Sequence, residues 1–194
     1  MIEIKLTQTM EGQARKEGLS SLIAIISPED EVIKLHPLEV AYILFMNEGI
    51  AITQDGNELD FKEYIGKTLK VLQERCESEG VGCTLLKLFW SMFTVYYDLR
   101  RRKRKVIPEV RRDGTLLEIR RNKWWAEYLV LEEGVKVNME QLLNWVEDVK
   151  ANDMIPVVAI VDRNGSVTYY EVGKATLKAP RRGSEEAPLF PTSS

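Results

Sequence analysis

A single histidine, His36, serves the whole 194-residue chain. It stands directly before Pro37 at the opening of an apolar segment, a place that suits a structural role better than proton transfer. Without a second histidine, His-based triads and most His-containing metal sites are excluded. No Gly-rich loop leads into Lys-Ser or Lys-Thr, so no P-loop is present. The carboxylate pairs Glu132-Glu133 and Glu147-Asp148 are adjacent in sequence on amphipathic elements and read as solvated faces. Asp98, Glu118 and Lys123 would be the candidates for a metal-dependent nuclease, but they form no compact acid-acid-lysine motif on one strand pair. Cys76 and Cys83 lack a further Cys or His pair to complete a zinc ribbon and are expected as reduced, structural thiols. These residues argue against catalysis by the chain alone, and no metal or cofactor is expected.

The charge is unevenly distributed. A net charge of −3 hides a segment from Leu99 to Trp125 with eleven Lys/Arg against three acids. The cations fall in two runs, Arg100 to Lys105 and Arg120, Arg121 and Lys123, with Arg111 and Arg112 between them. A basic stripe on an otherwise acidic chain suits a polyanion, because neutralising phosphates releases counterions, or an acidic protein surface. Taken alone, LRRRKRK also suits a solvated helix end whose cations complement the C-terminal dipole.

The elements that must carry these groups are legible from periodicity. With 44% hydrophobic and 29% charged residues the composition is that of a globular protein. No apolar run reaches membrane-spanning length, and MIEIKLTQTM has neither the basic nor the apolar region of a secretory signal, so a cytoplasmic protein is expected. IEIKL and SSLIAII read as half-buried strands. Pro37 starts a helix through EVAYILFM that ends at Asn47-Glu48-Gly49. IAITQ reads as a strand turning at Asp55-Gly56, and Asp60 caps a helix with Phe61, Ile65, Leu69 and Leu72 on one face. A second unit starts with the helix LLKLFWSMFTVYYDLRRR, burying Leu88, Met92, Val95, Tyr96 and Leu99. KVIPEV, GTLLEIR and WWAEYLVLE form a meander with turns at Asp113-Gly114 and Asn122-Lys123. Asn138 caps a helix that turns Leu142, Trp145, Val146 and Val149 inward. IPVVAIVD is a buried strand, returning through Arg163-Asn164-Gly165 into VTYYEV. The fold class is α/β of the α+β type: a small α/β domain over residues 1–82, a second domain over 83–177, and a flexible Pro/Ser-rich tail over 178–194.

Three stretches of the second unit, FTVYYDLRRR (Phe93 to Arg102), WAEYLV (Trp125 to Val130) and VVAIVDRNGSVTYYEV (Val157 to Val172), resemble in order and spacing the C-terminal nuclease domain of the archaeal tRNA-splicing endonucleases. HPLEVAYILFMNEGIAI is more loosely similar to that family's N-terminal domain. The resemblance covers about 140 residues and implies a mixed sheet with flanking helices in the second domain.

In active members a tyrosine acts as general base, a histidine as general acid and a lysine beside the transition-state charge. The resemblance sets Ile119, Trp125 and Met154 at these positions. An indole shuttles no proton to a leaving group, and a thioether carries no charge. No tyrosine lies between Tyr97 and Tyr128. Loss of base, acid and cation together implies a silent structural subunit of the family's heterotetrameric type. Such a subunit would pair with a catalytic chain in a 2:2 assembly that cuts precursor tRNA at bulge-helix-bulge sites, without a metal, leaving a 2′,3′-cyclic phosphate.

The resemblance also gives a use to the last hairpin. VTYYEV is apolar on both faces, with Val167 and Tyr169 on one and Tyr170 and Val172 on the other, an aggregation hazard unless a partner covers it. In the family this strand pairs subunits, and the loop before it is acidic and plugs a basic pocket across the assembly. Asp162, Asn164 and Gly165 match that loop in part, Arg163 dilutes its charge, and Asn-Gly is also an ordinary hairpin turn. The basic patch of Arg100, Arg102, Arg104, Arg120, Arg121 and Lys123 would meet the tRNA backbone or an acidic face of the sister chain. The alternative is a stand-alone RNA-binding protein in which the same stripe meets phosphates while Trp124 and Trp125 stack on bases.

Overall fold

The computed structural model describes residues 1–19, 21–25, 29–109, 112 and 114–173. The tail expected over 178–194, together with Arg111 and Asp113, lies outside the described residues. Two five-stranded mixed sheets and four helices account for the described chain.

The first sheet has the order β3-β2-β1-β4-β5, formed by β1 (Ile2–Leu6), β2 (Gly12–Arg15), β3 (Val32–Leu35), β4 (Gly49–Ile52) and β5 (Glu58–Leu59). Strands β1 and β4 run parallel, and α1 (Pro37–Phe45) leads from β3 into β4. His36 caps α1: its Nδ1 accepts from the Leu38 N–H at 3.2 Å, and its own N–H donates to Glu39 Oε2 at 2.9 Å. This reciprocal box satisfies two donors that a helix start otherwise leaves open. Every residue from Pro37 to Leu44 is buried, Glu39 included, so α1 is enclosed around its whole circumference. Gly12 permits this depth, since a Cβ there would fall 2.6 Å from Ile4 Cγ2 and 2.7 Å from Val40 Cγ2.

SSLIAII is not a strand where it is described. Leu22 and Ile23 donate to the Leu19 carbonyl in turns, and Leu19 and Ile23 are buried by those turns rather than by alternation. The sheet takes GQAR and VIKL instead, four-residue strands too short and too polar to announce themselves.

Asp60 caps α2 (Phe61–Glu79) through the Glu63 N–H at 2.8 Å, and Gly80 ends it in the left-handed region. Ile65 and Leu72 are buried as their spacing requires, joined by Tyr64 and Thr68. The chain reverses into α3 (Cys83–Arg101), and Cys76 and Cys83 form a disulfide across the reversal, with Cα atoms 4.9 Å apart. The expectation of reduced thiols is thereby corrected: two left-handed glycines, Gly80 and Gly82, fold the link so tightly that the last turn of one helix faces the first turn of the next.

Helix α3 is the shared spine. Phe89, Met92, Val95, Tyr96 and Leu99 belong to one buried cluster that runs from Ile4 and Ile43 in the first half to Val106, Tyr128 and Ala159 in the second. The second sheet has the order β10-β9-β8-β7-β6, from β6 (Lys105–Pro108), β7 (Thr115–Arg120), β8 (Lys123–Glu132), β9 (Ile155–Val161) and β10 (Val167–Glu171). The β6-β7-β8 meander is present, but its second turn is centred on Arg121-Asn122, both at positive φ, one residue before the place expected. Strands β8 and β9 are parallel, with α4 (Met139–Ala151) as the crossover. Asn138 caps α4, which lays Trp145, Val146 and Val149 on the outer face of the sheet as a second cluster with Val158.

Two tests follow. Substituting both Cys76 and Cys83 by serine should cost about 2–3 kcal/mol of unfolding free energy, the closure entropy of so short a loop, measured by urea denaturation with and without reductant. Glu39 is buried, which raises its carboxyl to about 7, against the lowering hydrogen bond from His36 and the charge of Arg100. A carboxyl whose folded value lies above its unfolded one contributes stability at low pH and loses it as pH rises through about 7. Glu39→Gln should therefore be more stable than the parent at pH 8, by on the order of 2–3 kcal/mol, with the difference gone near pH 4.

Candidate functional site: a basic cleft on a buried carboxylate

Strand alternation sends Leu116 and Glu118 of β7 to the inner face, so Glu118 is a carboxylate with 1% of its surface exposed. Such a charge is tolerable only when paired and hydrogen-bonded. Arg104, just beyond α3, donates through one terminal nitrogen to both Glu118 oxygens, at 3.0 and 3.2 Å. Arg120 Nε donates to Oε1 at 2.6 Å, and the Tyr128 hydroxyl donates to Oε2. Burial alone would raise the Glu118 carboxyl; the hydrogen bonds from Tyr128, Arg120 and Arg104 outweigh it and hold the group below the ordinary carboxylate value.

A second carboxylate repeats the pattern. Asp98 on α3 accepts from the Tyr169 hydroxyl at 2.7 Å and pairs with Arg102 at 2.9 Å, while the Arg102 guanidinium lies over the Tyr169 ring. Tyr128 and Tyr169 meet edge to face with centroids 5.9 Å apart. Both phenols are pushed well up, first by burial and then by the carboxylates they serve. Each therefore holds its proton and donates it at neutral pH; neither is poised as a base.

These groups surround a cleft of about 360 Å³ lined by Arg102, Arg104, Arg120, Trp125, Tyr128 and Tyr169, among others. The same three arginines also border a neighbouring depression of about 540 Å³, rimmed by Lys103, Lys105 and Arg121. The basic stripe divides accordingly. Arg100 is turned inward, donating to the Leu22 and Arg104 carbonyls at 3.0 and 2.8 Å, which makes it a structural brace. Arg102, Arg104 and Arg120 are half-neutralised by Asp98 and Glu118. Lys103, Lys105, Arg121 and Lys123 have no ion-pair partner among the described residues. Arg112 reaches away from the cleft to Glu127 and Asp148.

Ile119 and Trp125 lie on the adjacent strands β7 and β8, and Met154 stands just before β9, at one end of the sheet. Ile119 pairs with Trp124 and borders the basic depression; Trp125 lines the cleft; Met154 precedes Ile155, the partner of Ala126, and its side chain packs under α4. Of the metal-nuclease candidates, Asp98 and Glu118 are committed to arginines and tyrosines, and Lys123 ends the β7-β8 hairpin without joining them. No group of three or more His, Cys, Asp or Glu that could hold a metal forms among the described residues.

On the last hairpin, Asp162 is taken up by its own turn, with Oδ1 accepting from the Asn164 and Ser166 N–H groups at 2.8 Å each; Gly165 has φ +78. Val167 and Tyr169 pack against the main core, Val172 packs against the α4 cluster, and Tyr170 is 53% exposed. Strand β10 pairs only with β9, so its outer edge is open among the described residues. Sequence reasoning missed the roles of Glu118 and Tyr128. The signal was available, since a glutamate at an inward-facing strand position demands a cation nearby.

Residues 89–169, from α3 to β10, match the family model described as tRNA intron endonuclease, catalytic C-terminal domain. No curated protein matches the chain. The match supports the tRNA-splicing endonuclease family and a role in tRNA splicing, and the region is a nuclease-like domain of mixed sheet and helices. No helix among the described residues is long and apolar enough to cross a membrane.

Glu118→Gln should lower stability by roughly 2–3 kcal/mol, toward the low end for a broken buried ion pair, because Arg104 and Arg120 stay 36% and 42% exposed. The parent's advantage should be present above about pH 4.5 and fade as pH falls through the lowered carboxyl value. Urea titrations of parent and variant from pH 3 to 8 would read it.

Proposed function

We propose that the chain is a catalytically silent, structural subunit of a tRNA-splicing endonuclease, assembled with a catalytic sister chain as a 2:2 heterotetramer in the cytoplasm of an archaeal-type cell. The observation that carries this reading is the chemistry of the cleft. The resemblance sets Ile119, Trp125 and Met154 at the positions where active enzymes carry a base, an acid and a cation, and of the three only Trp125 lines the cleft. The two tyrosines in the cleft are hydrogen-bond donors to carboxylates, and the only histidine is the cap of α1 in the other half of the chain. Burial lowers His36 to about 4, so it is neutral at physiological pH, and its Nδ1 lone pair is already engaged.

Assembly gives the remaining features a use. The open edge of β10 with Tyr170 at the surface is suited to pairing with another chain, since an unpaired strand edge is a template for one. The turn at Asp162, Asn164 and Gly165 is rigid enough to present a fixed shape, though its carboxylate is largely spent internally. The cations around the cleft would face precursor tRNA or an acidic sister surface. The stand-alone RNA-binding reading keeps one observation in its favour: Trp124 and Trp125, beside the cations, are 43% and 42% exposed.

Sizing the chain alone and after co-expression with a catalytic subunit separates the two. A structural subunit gives a 2:2 species and cleavage of a bulge-helix-bulge precursor only in the mixture, with no dependence on magnesium. A soluble monomer that retards RNA and is unchanged by the catalytic chain would reject the subunit reading.

A further inference from the structure

Trp124 and Trp125 are consecutive, and a regular strand would send them to opposite faces. The β7-β8 pairing is irregular here: Glu118 pairs with Ala126 and Ile119 with Trp124, which leaves Trp125 as the unpaired residue of a bulge. Bulges re-aim a side chain. This one puts the Trp125 indole into the cleft, whereas Trp124 does not line it. The Arg120 guanidinium lies 4.8 Å from the centroid of the Trp125 ring. It does not wander there as a surface arginine would, because its Nε is held at 2.6 Å by the buried Glu118. A flat cation is thus fixed against a flat, electron-rich ring, and 42% of that tryptophan remains exposed to solvent. An anchored indole left this open has surface to offer a planar partner.

The surroundings narrow the partner. Arg102 and Arg104 border the same cleft, and Lys103, Lys105 and Arg121 rim the adjoining depression. A ligand that uses both features must carry a π-face on an anionic thread. An acidic peptide would use the cations and leave the indole idle. We infer that Trp125, with Arg120 fixed upon it, is a stacking site for one unpaired nucleobase of an RNA strand whose flanking phosphates run along Lys103, Lys105 and Arg121. The inference rests on RNA being the partner of the basic cleft; it does not rest on the chain's catalytic silence. It assigns distinct roles to the two tryptophans, with Trp125 as the stacking residue and Trp124 outside the site.

The test titrates the full chain at fixed salt with a single-stranded oligoadenylate and, separately, with heparin, a polyanion that has no bases. Binding is followed by anisotropy and by indole fluorescence. Trp125→Leu should weaken oligoadenylate binding on the order of tenfold or more, as loss of a base-aromatic stack does. It should also abolish most of the RNA-induced quench and leave heparin affinity unchanged. Trp125→Phe, which keeps a ring, should recover most of the affinity, and Trp124→Leu should behave as the parent. Equal loss for oligoadenylate and heparin, no loss in Trp125→Leu, or an equal loss in Trp124→Leu would overturn the stacking site and leave a cleft that works by charge alone. Failure of the parent to bind either polymer would overturn the RNA reading of the cleft itself. Neither result bears on whether a mixed complex cleaves precursor tRNA, which is read separately.

Discussion

A buried carboxylate must be compensated where it lies, and Glu118 is compensated by reaching three elements at once. Arg104 comes from the segment just beyond α3, Arg120 from its own strand and Tyr128 from β8. The helix that carries the chain's aromatic core is thereby tied to the sheet that carries the cleft. Asp98 makes a parallel tie between α3 and β10 through Tyr169. Removing one partner from such a set leaves a charge in low dielectric, which is why the arrangement behaves as a unit. Arg102, Arg104 and Arg120 are held in place by these two acids, and Lys103, Lys105 and Arg121 are displayed beside them.

The same two carboxylates determine what the cleft can do chemically. A tyrosine is useful as a base only when its phenolate is accessible, and a carboxylate hydrogen-bonded to the hydroxyl works in the opposite direction. The cleft thus combines aromatic rings and positive charge with two tyrosines that act as hydrogen-bond donors. That combination suits recognition of a polyanion or of a companion surface. Residues 89–169, which match the family model, carry most of the cleft.

Much of this was legible in the residues. The capped helices were, because Pro37, Asp60 and Asn138 stand where helix starts need them. The β8-α4-β9 crossover was, because an apolar run after an amphipathic helix leaves little choice. SSLIAII failed because hydrophobic composition alone does not separate a strand from a buried series of turns. The disulfide was misjudged from usual redox conditions, whereas the geometry of Gly80 and Gly82 decides it. The site was less legible than the fold. The bulge at Trp125 breaks the alternation on which strand reasoning depends, and the pairing of Arg104 with Glu118 joins residues 14 apart that no local pattern brings together.

The proposed silence of the cleft is tested most directly inside a complex assembled with a catalytic chain. The catalytic histidine of the sister chain is replaced by alanine, and single-turnover cleavage of a bulge-helix-bulge precursor is followed by counting 2′,3′-cyclic phosphate ends. If this chain moves no protons, the complex should form and bind precursor yet release no such ends above the uncatalysed background. Persistent cyclic-phosphate ends from that complex, abolished only when Trp125, Tyr128 or Tyr169 is also changed, would show that this chain cuts RNA itself.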